Sequence, residues 1–132
     1  MGRRCVKAVL LDTHSSAWSL AGDPRLSDRA TAAMLRAETV LVSPISFFEI
    51  GQKVRLGKWP EMAPFVADLP AVLERQGGGV AWLDQRICLR VAIMNWTHRD
   101  SFGRLLAVTA EHYNVAIISA DTVFDEVVTR VW

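Results

Sequence analysis

Val6–Lys7–Ala8–Val9–Leu10–Leu11 is a short, nearly continuous apolar run, and Asp12 closes it. A run of this length suits a strand covered on both faces. An acid just past such a strand costs desolvation energy unless it has a partner. The arrangement recurs near the other end of the chain, where Asp121 follows Val115–Ala116–Ile117–Ile118–Ser119–Ala120. Ligand sites of open parallel sheets lie at the carboxyl ends of strands. The two runs together predict an acidic pocket able to hold a hard divalent cation.

Outward from the first run, the pattern alternates. Residues 13–20 read as a short helix, broken by Gly22–Asp23–Pro24. Ser27 is a candidate N-cap for a helix through Ala37, with Ala30, Met34 and Ala37 on one face. Residues 40–42 suit a second strand. Ser46 and Glu49 have capping-box spacing, which predicts a helix beginning at Ser46 and ending by Gly57–Lys58–Trp59–Pro60. Residues 63–76 read as helical, kinked or split by Pro70. Gly77–Gly78–Gly79 stops that segment, and 80–83 suit a brief strand. Asp84 can cap a helix to Asn95 with Ile87, Val91 and Met94 inward. A loop over 96–100 leads to a helix over 101–113, striped by Phe102, Leu105, Leu106, Thr109 and Tyr113. Residues 115–119 read as a strand, 122–126 as a helical turn and 127–132 as a terminal strand. Strands alternating with helices indicate an α/β domain with a mostly parallel sheet, its strand carboxyl ends on one edge.

With 132 residues the chain reads as one domain, 1–132, large enough to bury roughly 65–70% of its unfolded surface. It is 51% hydrophobic and 22% charged, which excludes disorder and a coiled coil. A net charge of +1 excludes a wholly basic nucleic-acid binder but not a local basic patch. Cys5 and Cys88 are too few for a disulfide framework or a Cys-type zinc site. Met1–Gly2–Arg3–Arg4 resembles a signal-peptide start, yet Asp12 and His14 cut the apolar region short, and Val6 breaks the myristoylation pattern. No run is long enough to span a membrane. The expectation is a soluble, cytoplasmic protein.

Asp12, Glu49, Asp100 and Asp121 all stand at junctions of regular structure. Singly, each has an ordinary reading. Asp12, Asp100 and Asp121 can be helix caps, and Glu49 can complete a capping box or pair with Lys53. Those readings leave unexplained why Asp12 and Asp121 follow two separate apolar strands. If those strands are neighbours, two carboxylates about 4 Å apart repel by ~4 kcal/mol at an effective dielectric of 20. Such a cluster takes up protons or binds cations. Oxygen ligands select Mg2+ or Mn2+ over zinc, and that chemistry suits phosphodiester hydrolysis. No phosphate-cradling Gly-x-x-x-x-Gly-Lys sequence or nucleophile-elbow spacing occurs. A receiver-like phosphoacceptor domain would need an acid pair after the first strand and a late partner lysine, which are missing. Thr13 and Ser119 adjoin pocket acids and can hold a metal-bound water, as substrate-binding residues, or act as simple caps. Lys53, Arg55 and Lys58 with Trp59 form a candidate phosphate-and-base surface, or a solvated helix end. His14, His98 and His112 can be acid/base groups. His112 reads better as a surface histidine favoured by the helix dipole, and His98 as fixing the loop before Asp100, since carboxylate-rich metal pockets seldom need an imidazole. Trp18, Trp82, Trp96 and Trp132 read as core or interface material.

Several stretches fall in an order that resembles a known family. They are Leu10–Leu11–Asp12–Thr13–His14, Ser43–Pro44–Ile45–Ser46–Phe47–Phe48–Glu49–Ile50, Lys53–Val54–Arg55–Leu56–Gly57–Lys58, His98–Arg99–Asp100–Ser101–Phe102–Gly103–Arg104–Leu105–Leu106 and Ile118–Ser119–Ala120–Asp121. Together they look like the PIN-domain toxins of VapC type, over nearly the whole chain. The resemblance implies an α/β/α sandwich with four or five mostly parallel strands. It also implies an Mg2+- or Mn2+-dependent ribonuclease, a homodimer, and inhibition by a cognate antitoxin. Asp12, Glu49 and Asp121 match the first, second and last of the family's acids. The family commonly reads His-Arg-Asp-Pro-Phe-Asp-Arg, with the later Asp as ligand. Gly103 stands at that position here, and Asp100 matches the earlier one. A second reading follows from Gly103: a degenerate module that binds RNA or its antitoxin without cutting.

Overall fold

The computed structural model describes residues 6–132. Cys5 and the signal-like start therefore lie outside the described residues. Strands β1 (Val6–Leu11), β2 (Ala37–Val42), β3 (Gly79–Val80), β4 (Ala116–Ile118) and β5 (Arg130–Val131) form one sheet, in the order β3-β2-β1-β4-β5. Every pairing is parallel, as the alternating pattern predicts. The helices are α1 (Thr13–Ala21), α2 (Asp28–Arg36), α3 (Pro44–Arg55), α4 (Leu69–Arg75), α5 (Gln85–Ile93) and α6 (Ser101–Tyr113). Two 3-10 segments, Pro60–Asp68 and Thr122–Glu126, complete the described chain.

The period of two along β1 divides its side chains between two cores. Val9 and Leu11 face Ala30 and Ala33 of α2, together with Val42, Leu73 and Ile118. Leu10 points to the other side, onto Leu106, Ala107 and Ala110 of α6 and onto Ile117 and Phe124. Helices thus cover both faces, which makes the molecule an α/β/α sandwich. A third cluster (Ala17, Ile50, Trp59, Met62 and Leu69) joins α1, α3 and the first 3-10 segment, and a fourth joins α5 to α6 through Ile87, Val91 and Val108.

Most element positions follow their local signals. Ser27 caps α2, accepting the Ala30 N–H at 3.0 Å, and Asp84 caps α5 through the Ile87 N–H at 2.9 Å. Pro70 divides the 63–76 region, so that a 3-10 segment ends at Asp68 and α4 begins at Leu69. Four expectations need correction. The helix expected through Ala37 ends at Arg36, and Ala37 opens β2, which is longer than the strand expected over 40–42. The N-cap of α3 is Ser43, whose hydroxyl accepts the Ile45 N–H at 3.1 Å. Pro44 fills the first helical position, where its missing N–H costs nothing. Ser46 lies inside the helix, so no capping box with Glu49 forms. The last strand is only Arg130–Val131, because Val127 and Val128 pack against the α6-side core instead of joining the ladder. β3 is likewise confined to Gly79–Val80.

Candidate functional site

The parallel register lines up the strand ends. Leu11 pairs with Val42 on one side and Ile118 on the other. The next residues along these three strands are Asp12, Ser43 and Ser119. Strand order reverses at β1, with β2 and β3 to one side and β4 and β5 to the other. Open α/β sheets bind ligands at such a switch point.

Asp12 is 7% exposed and caps α1. Its Oδ1 accepts the Ser15 N–H at 2.8 Å, and its Oδ2 accepts the Ser119 hydroxyl at 2.6 Å. These two donors offset the cost of burying the charge. The Ser119 oxygen in turn accepts the Asp121 N–H at 3.0 Å, so one buried hydroxyl ties the acid after β1 to the acid after β4. Asp121 caps the Thr122–Glu126 turn through the Val123 N–H at 3.0 Å and is exposed. Glu49, 8% exposed, is paired with Lys53 Nζ at 2.9 Å, and that ammonium lies 5.5 Å from the Trp59 ring centre. Asp100 caps α6, accepting the Phe102 N–H at 3.1 Å. The Thr13 hydroxyl donates to the Ser46 oxygen at 3.1 Å, locking α1 against α3 beneath the site.

The ordinary readings of the four acids therefore hold: three are caps and one is ion-paired. All four nevertheless line one cleft, together with Thr13, His14, Lys53, His98, Phe102 and Gly103. The cleft encloses about 160 Å3, smaller than a pocket for a drug-sized ligand. Among the described residues, no three His, Cys, Asp or Glu side chains stand close enough to enclose an ion as placed. Both Asp12 oxygens are engaged by protein donors, and Glu49 is held by Lys53. The donor chemistry still fits a hard divalent cation, since four carboxylates stand among the lining residues. Lys53 already brings a positive charge to Glu49.

Ser119 acts from beneath the cleft and does not line it. Arg55 and Lys58 are exposed and stand off it. Trp59, read with them as a base-stacking surface, is 7% exposed and packs with Ile50 and Met62. Apolar packing under α3 outweighs its place beside two lysines in sequence. Trp82, read as core or interface material, is 68% exposed. The reading of the chain also missed that the His98 ring reaches the cleft. The signal lay five residues on, in a glycine placed inside the first turn of a helix.

The sequence matches the family model described as PIN domain over residues 9–129. No curated protein sequence matches it significantly. Solved structures share the fold. The crystal structure of VapBC2 from Rickettsia felis bound to a DNA fragment from their promoter is 12% identical with a TM-score of 0.62, covering 93% of this chain and 96% of that one. FitAcB from Neisseria gonorrhoeae is 20% identical with a TM-score of 0.62, covering 92% and 95%. A toxin–antitoxin complex from Klebsiella pneumoniae is 14% identical with a TM-score of 0.55, covering 86% and 87%. At these identities the likeness is one of fold.

Proposed function

The chain belongs to the PIN-domain family, and on that premise we propose that its acidic cleft is the centre of an Mg2+- or Mn2+-dependent ribonuclease toxin. The observation that carries this reading is the convergence of Asp12, Glu49, Asp100 and Asp121, remote in sequence, on one cleft at the switch point of a parallel sheet. Asp12, Glu49 and Asp121 would hold the cation, with Asp100 at the rim. A divalent ion so bound supplies charge stabilisation and water activation for phosphodiester hydrolysis.

The protein's own groups prepare the site. Ser119 fixes the direction of Asp12 and the path of the chain at Asp121. The Thr13–Ser46 hydrogen bond sets the spacing of α1 and α3, and with it the distance from Asp12 to Glu49. Lys53 lies within the cleft lining, where its ammonium can meet a phosphate once Glu49 is taken up by a cation. Arg55, on the exposed end of α3, extends that positive surface toward an RNA strand.

The Klebsiella pneumoniae neighbour is a toxin–antitoxin complex, and that supports a cognate antitoxin as the protein partner here. A homodimer and a cytoplasmic location belong to the same reading, and no described helix is long and apolar enough to cross a membrane. The second reading is a module that binds RNA or antitoxin without cutting, favoured by Gly103 in place of a family acid. Purified protein incubated with a structured RNA separates the two. The nuclease reading expects cleavage that requires Mn2+ or Mg2+ and disappears in Asp12→Asn. Equal cleavage by Asp12→Asn would refute the assigned site, and binding without cleavage at any metal concentration would favour the second reading.

A further inference from the structure

Gly103 occupies the first turn of α6, where glycine is a poor helix former. Its φ is not among the positive ones, so the backbone does not require it there. The space beside it explains it better. A Cβ at this position would come within 2.5 Å of His98 Nε2 and 3.0 Å of His98 Cδ2, with Asp100 Oδ2 at 3.5 Å. No side chain could share that space unless the imidazole withdrew. The glycine thus admits a ring to the place from which an acid at 103 would project.

The ring is also held there. Arg104 donates to four carbonyls around the loop: Val91 at 2.9 Å, Met94 at 2.7 Å, Trp96 at 2.7 Å and His98 itself at 3.0 Å. The Trp96 ring packs on the imidazole at 4.9 Å between centres. Among the described residues, neither ring nitrogen of His98 has a hydrogen-bond or ion-pair partner, while the side chain lines the same cleft as Asp12, Glu49 and Asp121. The clamped imidazole thus borders the acidic cleft with both nitrogens uncommitted.

We propose that His98 replaces the missing acid as a ligand through Nε2, making the cleft a mixed imidazole–carboxylate site. This rests on the metal-site reading above and specifies one donor of it. Exchanging a carboxylate for a neutral imidazole removes a negative charge and adds a softer donor. The site should then favour Mn2+ over Mg2+, since imidazole suits transition ions better than the hard, oxygen-seeking Mg2+.

The test is metal binding by the intact protein without RNA, read by calorimetry with Mn2+ and Mg2+ and by pulsed electron paramagnetic resonance of the Mn2+ complex. The wild-type complex should show nitrogen-14 coupling from a bound imidazole. His98→Ala should abolish that coupling and weaken Mn2+ binding by about tenfold or more, with less effect on Mg2+. His98→Ala combined with Gly103→Asp should restore affinity without the nitrogen signal and move preference toward Mg2+. Wild-type Mn2+ binding that Asp12→Asn abolishes but that shows no nitrogen coupling would overturn the His98 assignment and leave the carboxylate site standing. Absence of Mn2+ binding would overturn both. Because the resonance arm is read on the wild-type protein, a poorly folded variant cannot obscure it.

Discussion

Ser119 shows how much one side chain can fix. Fully buried, it donates to Asp12 and accepts from the Asp121 backbone. Hydrogen bonds to charged groups are stronger than neutral ones, and losing one leaves Asp12 short of a donor in a dry setting. Ser119→Ala should therefore lower stability by about 1.5–3 kcal/mol in urea unfolding; an unchanged midpoint would show that water replaces the hydroxyl there. Lys53 makes the opposite point. Its ammonium at Glu49 competes with any cation drawn to the cleft. Lys53→Gln should tighten Mn2+ binding while weakening RNA binding in the absence of metal, measured by calorimetry and filter binding. Weaker Mn2+ binding in that variant would refute the competition.

At the scale of elements, caps decide where helices begin. Ser43→Ala removes the hydroxyl that satisfies the Ile45 N–H and should cost about 1 kcal/mol. Ser46→Ala leaves the buried Thr13 hydroxyl without its acceptor and should cost about 1–3 kcal/mol in urea unfolding. Removing that hydroxyl as well, in Thr13→Ala with Ser46→Ala, should cost less than the two single losses summed, and strict additivity would show that the bond carries nothing. Asp84 illustrates a charge-dependent cap. The Ile87 N–H holds its carboxyl below the usual range, with protonated His112, at 3.6 Å, acting in the same direction. A depressed carboxyl stabilises the fold above its unfolded pKa, and this contribution fades as pH falls through the folded value. Asp84→Asn keeps a capping oxygen and drops the charge. Its stability deficit relative to wild type should be present at neutral pH and vanish in acid, as followed by thermal unfolding at a series of pH values. A deficit independent of pH would mean that the charge is irrelevant.

For the molecule as a whole, the central strand couples both cores to the site. Leu10 is fully buried against α6 while its neighbours Val9 and Leu11 pack toward α2. Leu10→Ala should cost about 2–5 kcal/mol, depending on how far the cavity collapses. Metal binding should raise stability with the logarithm of the free ion concentration, by about 2.7 kcal/mol at a hundredfold excess over Kd. That gain should be missing in Asp12→Asn; an equal gain in both proteins would place the ion elsewhere.

The sequence by itself determined the alternation of strands and helices, the parallel class of the sheet, and the acids Asp12 and Asp121 at strand ends. It also marked the starts of α2, α5 and α6 through Ser27, Asp84 and Asp100. These features are legible because periodicity and capping act over a few residues. The tertiary structure alone decided that Ser43 rather than Ser46 opens α3, that Trp59 is buried beneath α1 and α3, and that Val127 and Val128 leave the last strand. It alone brought Ser119 onto Asp12 and the His98 imidazole into the space beside Gly103. Each of these depends on surfaces that meet only after the chain has closed on itself, and packing and desolvation between distant residues leave no local mark on the order of the letters.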